Sequence, residues 1–179
     1  MNFCSACGTP VSFRIPEGDM LPRYMCDACG AIHYLNPKIV VGCIAQASDR
    51  RILLCRRSIE PRAGFWTMPA GFMENGETIR DAALRETQEE ACARVEIAGL
   101  SSVVSVLGAD QVHVMYHGRL VDDAFAAGDE TLEAALVDEA EMPWDTLAFR
   151  SVTAAFKLYF EDRRRGVFET HHVDLPPLR

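Results

Sequence analysis

Gly71-Phe72-Met73-Glu74-Asn75-Gly76-Glu77-Thr78-Ile79-Arg80-Asp81-Ala82-Ala83-Leu84-Arg85-Glu86-Thr87-Gln88-Glu89-Glu90-Ala91-Cys92-Ala93 joins a polar turn to a run of helix formers. Thr78 suits an N-cap, and Asp81 three residues on is a capping-box-like partner, so a helix is predicted from Thr78 to Ala91. On that helix Glu86 and Glu90 are four apart and Glu89 lies three from Glu86, so all three carboxylates fall on one side. Like charges at this spacing repel. The arrangement makes sense if hard cations sit among the oxygens, since carboxylates combined with substrate phosphates are the habit of Mg²⁺ and Mn²⁺. Arg85 can pair with Glu77 and fix the helix to the loop before it. Taken alone, the acidic run also reads as a solvated helix face.

The flanks read as short strands. Ile39 to Ala45 is an apolar, β-branched run of the kind that forms a buried strand. Asp49-Arg50-Arg51 reads as a turn and Ile52-Leu53-Leu54-Cys55 as a second strand, so the pair predicts a hairpin. Residues 60–77 are rich in Gly and Pro and read as a long loop. Val95 to Leu107, Val112 to Leu120 and Leu132 to Val137 are strand-like, with a turn at Gly108-Ala109-Asp110 and a polar loop over 122–130. Ser151 to Arg164 predicts a second helix with Val152, Ala155, Phe156 and Tyr159 on one face. The tail after Gly166 reads as irregular. Strands flanking two helices predict a mixed α/β layer fold.

The chain has 179 residues, enough for one domain with a small appendage. Hydrophobic residues make up 49% and charged residues 25%, which disfavours disorder and fibrous repeats. A net charge of −8 disfavours nucleic acid as a bulk partner. It does not exclude an anionic substrate, because a bound divalent metal inverts the local field. No apolar run is long enough for a transmembrane helix, so no membrane partner is expected. Met1-Asn2-Phe3-Cys4 does not resemble a secretory start. Seven cysteines, an odd number, suit a reducing compartment, and the expected location is cytoplasmic.

Residues 1–35 form a distinct segment, with Asn36-Pro37 as the hinge out of it. Cys4-x2-Cys7-Gly8 and Cys26-x2-Cys29-Gly30 are two hooks whose four sulfurs are expected to close a tetrahedral Zn²⁺ shell, with four unrelated buried cysteines or two disulfides as the alternative. A closed shell has no open position, so this zinc is expected to be structural. The segment is too small to build a core alone, and metal binding supplies its folding free energy.

The whole string Gly71-x5-Glu77-x7-Arg85-Glu86-Thr87-x-Glu89-Glu90 resembles the signature of the Nudix hydrolases, which cleave nucleoside diphosphates linked to another moiety. The lead-in, Gly64-Phe65-Trp66-Thr67-Met68-Pro69-Ala70-Gly71, is similar to the family's loop before that signature. The family's glycine near the helix end is Cys92 here, and the bulky apolar residue after it is Ala93. Both lie beyond the metal-binding face, so altered helix termination is expected rather than lost chemistry. The resemblance implies a Nudix-type α/β/α sandwich with a mixed sheet over residues 36–179, preceded by a zinc ribbon over residues 1–35. It implies that Glu86, Glu89, Glu90 and the carbonyl of Ala70 hold catalytic Mg²⁺ or Mn²⁺, and that Glu77 and Arg85 form the supporting ion pair. The implied reaction is attack of water on a diphosphate phosphorus. The family often adds a base from a later loop, for which Glu130 and Glu133 are the candidates. Arg56 and Arg57 are candidates to reach a phosphate, with a solvated strand edge as the alternative. Trp66 is a candidate to stack on a base or ring, with a core role as the alternative.

Two branches of the family carry a zinc ribbon before the signature. The NADH diphosphatases, which also remove NAD caps from RNA, have a Ser-Gln-Pro-Trp-like element after it. The corresponding stretch here is Leu100-Ser101-Ser102-Val103-Val104-Ser105-Val106. The other branch resembles the FAD and ADP-ribose diphosphatases. That likeness includes Asn36-Pro37-Lys38-Ile39-Val40-Val41-Gly42-Cys43, Leu53-Leu54-Cys55-Arg56-Arg57 and Glu141-Met142-Pro143-Trp144-Asp145-Thr146-Leu147-Ala148-Phe149. It makes ADP-ribose or FAD the expected substrate class and AMP the expected product, with an NADH or NAD-cap diphosphatase and a non-catalytic nucleotide-sensing regulator as alternatives. The partner implied is a small dinucleotide or nucleoside diphosphate derivative, and a homodimer is expected from the family alone.

Overall fold

The computed structural model describes residues 1–178, which fall into two compact units divided after Pro37. The first contains β1 (Ser12–Arg14), β2 (Arg23–Met25) and β3 (Ile32–His33), paired antiparallel in that order. Gly8 and Gly30 follow the second cysteine of each hook at φ 74° and 73°. Each amide returns to the carbonyl of the hook's first cysteine at 2.9 Å, Gly8 to Cys4 and Gly30 to Cys26. The left-handed backbone that closes each hook is the reason for glycine there.

The second unit is a mixed sheet between two helices. Its elements are β4 (Lys38–Gln46), β5 (Ile52–Arg57), β6 (Trp66–Thr67), β7 (Ala70–Phe72), α1 (Ile79–Ala91), β8 (Val95–Val106), β9 (Gln111–Leu120), β10 (Thr131–Val137), α2 (Arg150–Arg165) and β11 (His171–Leu175). The strand order is β10-β5-β4-β9-β8-β11, with β6 on β5 and β7 on β4. The β4–β9 and β8–β11 pairs are parallel and the others antiparallel. Strand alternation splits the core. Val41, Cys43, Ala45, Leu53 and Cys55 join the clusters that contain Ala82, Ala83 and Ala91 of α1. Ile44, Ile52 and Leu54 pack with Val152, Ala155, Phe156, Tyr159 and Phe160 of α2. The two helices therefore cover opposite faces, and the central strands read as continuous apolar runs because both faces are buried. This is the expected α/β/α layering.

Three local readings change. Residues 60–77 are not one loop: β6 pairs with β5 (Cys55↔Thr67) and β7 with β4 (Gly42↔Ala70). Strands of two and three residues are too short to show a period. The expected β4–β5 hairpin closes only at Gln46↔Ile52, while β4 runs its full length beside β9. The tail after Gly166 is not irregular throughout: β11 extends the sheet from His171↔Ser102 to Leu175↔Val106. It is held by Asp162, which accepts the Glu169 amide at 3.0 Å and His171 Nε2 at 2.8 Å. That contact joins α2 to the segment after it and is invisible to local pattern.

Candidate active site

Thr78 caps α1 as expected, its Oγ1 accepting the Asp81 amide at 3.1 Å. Ala82, Ala83 and Ala91 are fully buried, so the helix backbone lies close against the sheet. Thr87 is buried on the same side and satisfies its hydroxyl on the Ala83 carbonyl at 2.8 Å. The acidic face is thus presented at a rigid, well-anchored helix.

Arg85 organises the acids. Its Nε and Nη2 take the two oxygens of Glu77 at 3.1 and 2.9 Å. Nη1 donates to Glu86 at 2.8 Å and Glu89 at 2.9 Å, and Nη2 also donates to the Phe72 carbonyl at 3.1 Å. All five guanidinium donors are used, in the fork geometry that only arginine offers. The pair with Arg85 lowers the carboxyl pKa of Glu77. Glu86 sits in a cradle made by a missing side chain: a Cβ on Gly71 would meet the Glu86 carboxylate at 2.3–2.4 Å. Any other residue at 71 would push that carboxylate away.

Glu90 is buried, and its Oε2 accepts the Ala70 amide at 3.0 Å. Burial pushes its pKa up to about 7, aided by the charges of Glu86 and Glu130 and opposed by the Ala70 hydrogen bond and by Arg57. Glu86 is raised in the same direction, first by burial and against the pull of Arg85. Desolvation is therefore the first cause, with repulsion between neighbours behind it. Glu89 differs, with its side chain 59% exposed and tied to Arg85.

The two loop acids separate. Glu130 bears electrostatically on both Glu86 and Glu90. Its loop docks on the end of α1, where the Ala126 amide reaches the Ala91 carbonyl at 2.9 Å and the Gly128 amide reaches the Glu90 carbonyl at 3.0 Å. Gly128 is required by this approach, because a Cβ there would lie 1.8 Å from the Glu89 carbonyl oxygen. The sequence offered no signal that set Gly128 apart from a turn glycine. Glu133 instead pairs with Arg56 at 3.0 Å, directly across the β10–β5 ladder. Arg57 bears electrostatically on Glu90, while its Nε donates to the Pro61 carbonyl at 2.9 Å and its guanidinium lies 5.2 Å from the Phe149 ring centre. Trp66 is half-buried, packs against the α2 core and carries the Arg56 guanidinium 5.9 Å from its ring centre.

The donor sets fit two kinds of metal. The four cysteine sulfurs lie within 4.8 Å of one another, with Cys4–Cys29 at 3.7 Å and Cys7–Cys26 at 3.4 Å. A zinc tetrahedron with bonds of ~2.3 Å spaces its sulfurs by about 3.8 Å. The α1 carboxylates are hard oxygen donors suited to Mg²⁺ or Mn²⁺. Among the described residues only the four cysteines are gathered within 4.8 Å, while Glu86 and Glu89 are joined through Arg85 Nη1.

Comparison with known proteins agrees with this geometry. Residues 2–35 match the family described as Nudix N-terminal, a zinc ribbon, and residues 36–160 match the NUDIX domain. The chain belongs to the Nudix hydrolase family. A solved NUDIX hydrolase from Nitrosomonas europaea is 48% identical, with a TM-score of 0.93 over 98% of this chain and 99% of that one. The ADP-ribose pyrophosphatase of Methanocaldococcus jannaschii is 31% identical over 114 residues, 62% of this chain and 67% of that protein. An NAD-capped RNA hydrolase from Chromobacterium violaceum is 35% identical over 95 residues, 53% of this chain and 34% of that protein. The chain thus spans about a third of the length of that RNA hydrolase. No helix among the described residues is long and apolar enough to cross a membrane.

Proposed function

We propose that the chain hydrolyses the diphosphate linkage of a nucleoside diphosphate joined to a second moiety, with ADP-ribose or FAD as substrate and AMP as a product. The observation that carries this reading is the Arg85-held set of Glu77, Glu86 and Glu89 beside a desolvated Glu90. In the reaction a water oxygen bonds to phosphorus, the bridging P–O bond breaks, and the second phosphate leaves with its moiety. Glu86, Glu89, Glu90 and the Ala70 carbonyl would hold Mg²⁺ or Mn²⁺. Bound there, the metal would neutralise phosphate charge and acidify the attacking water. Arg85 holds the acids in place, and Glu77 holds Arg85. Glu130, which is exposed and bears on Glu86 and Glu90, is the residue we assign to take the water proton. Arg57 is assigned to the phosphates because its charge bears on Glu90; Arg56 and Trp66 are assigned to the second moiety. Residues 1–35 act as the zinc-bound ribbon and residues 36–179 as the catalytic domain, in a cytoplasmic homodimer.

The likeness to NAD-capped RNA hydrolases supports a second reading, cleavage of NADH or of an NAD cap. AMP release from ADP-ribose, FAD and NADH with Mg²⁺, compared by kcat/KM, separates the two. A clear NADH preference would overturn the first reading and leave the hydrolase chemistry standing. Glu90→Gln removes a hard anionic ligand; with several kcal/mol of charge stabilisation at stake, kcat should fall by about 10²–10³. Near-normal kcat in Mg²⁺ would remove Glu90 from the site.

A further inference from the structure

The two hooks of the ribbon are related residue for residue. Cys4, Cys7, Thr9 and Val11 in the first correspond to Cys26, Cys29, Ala31 and His33 in the second. The second cysteine of each hook receives a backbone hydrogen bond from its own turn, Cys7 from Thr9 and Cys29 from Ala31. The first cysteines, Cys4 and Cys26, are the buried pair and lie before that amide. Here the correspondence breaks. His33 Nε2 lies 3.3 Å from the Cys4 sulfur, reaching from one hook to the other, whereas the Val11 side chain is apolar and has no donor to return to Cys26. Among the described residues no side chain other than cysteine hydrogen-bonds the Cys26 sulfur.

We infer that His33 is an outer-shell partner of the metal site, its Nε2–H donating to the Cys4 thiolate and so fixing that sulfur. The inference rests on the reading that the four cysteines hold zinc. A metal-bound thiolate is acceptor-only, so the histidine must carry its proton on Nε2. Strand β3 sets its position: His33 pairs with Tyr24 of β2 and is half-buried, so the ring is held and its donor is pre-aimed. Four thiolates on one Zn²⁺ leave an excess of negative charge, and a hydrogen bond to one of them draws off part of it. Such outer-shell partners orient ligands and contribute to metal retention as well as to ligand basicity.

The test uses the full-length zinc protein, its metal content measured first. Zinc release to an excess of a chromogenic chelator is then timed for wild type, His33→Phe and His33→Gln. His33→Phe keeps a planar ring without the donor; His33→Gln places an N–H at a similar reach. His33→Phe should release zinc about 10–100-fold faster, and His33→Gln should stay within about threefold of wild type. Co²⁺-substituted protein gives the second readout. Losing the hydrogen bond makes the thiolate a better electron donor, so the sulfur-to-cobalt band should move to lower energy in His33→Phe and not in His33→Gln. Equal release rates and unshifted bands in wild type and His33→Phe would overturn the inference. Equal acceleration in both variants would assign His33 to packing alone and also overturn it. A wild-type cobalt spectrum of three sulfurs and one nitrogen would make His33 a direct ligand, against the inference but not the metal. A wild-type protein that binds neither zinc nor cobalt would overturn the zinc reading itself.

Discussion

Cys92 ends α1 at φ 48° and ψ 30°, with its amide on the Gln88 carbonyl at 3.0 Å. A side chain in the left-handed region costs about 1–2 kcal/mol, whereas glycine costs roughly 0.5–1 kcal/mol more chain entropy on folding. Cys92→Gly should therefore stabilise the protein by up to about 1 kcal/mol and raise Tm by roughly 2–4 °C, read by thermal unfolding. An unchanged or lower Tm would show that the cysteine makes a compensating contact. The departure from the family's glycine was visible in the sequence; its cost became visible only with the backbone angles. His113 carries the pH dependence at this scale. It is buried, its Nε2 lies 2.9 Å from Gln111 Oε1, and its Nδ1 has no partner among the described residues. Burial pushes its pKa down to about 4 from an ordinary value near 6.5. The unfolded chain then binds the proton more readily, so stability is fully present above pH 6.5 and is lost as pH falls towards 4. The loss reaches at most about 3 kcal/mol. Urea unfolding at pH 7 and pH 4.5 should show wild type losing more stability than His113→Leu, and parallel losses would count against it.

At the scale of elements, the loop over 121–130 matters as much as the helix it meets. It supplies amides to the Glu90 and Ala91 carbonyls, which are among those that the end of a helix leaves unpaired. Gly128→Ala would drive a methyl into the Glu89 carbonyl and move the loop that carries Glu130. A loss of about 1–3 kcal/mol in stability is expected. If Glu130 acts on the water, a drop in kcat larger than the rise in KM should accompany it. A variant with wild-type kcat and lowered Tm would separate the loop's structural part from the chemistry. Helix α1 itself was legible, since the Thr78 cap, its Asp81 partner and the spacing of Glu86, Glu89 and Glu90 are local signals. Strands β6, β7 and β11 were not, because two to five residues gain strand geometry only from the neighbour that pairs with them.

On the scale of the whole molecule, the zinc ribbon has little apolar core, and metal binding should supply its folding free energy, on the order of 10 kcal/mol for structural zinc. Cys26→Ser should lower zinc content from about one per chain to a small fraction and remove hydrogen-exchange protection from β1, β2 and β3. Full zinc occupancy in the variant would refute the four-cysteine site. Two things were determined by sequence alone: the ribbon, through the spacing of four cysteines, and the identity of the acidic helix, through Glu77, Arg85, Glu86, Glu89 and Glu90. Both are short-range patterns, set by the reach of a turn and the pitch of a helix. The tertiary structure decided what those residues experience. It buried Glu86 and Glu90 while leaving Glu89 in water, brought Glu130 to the acids and sent Glu133 to Arg56, and set His33 against Cys4. Desolvation and pairing across strands depend on segments far apart in the chain, so no local spacing can encode them.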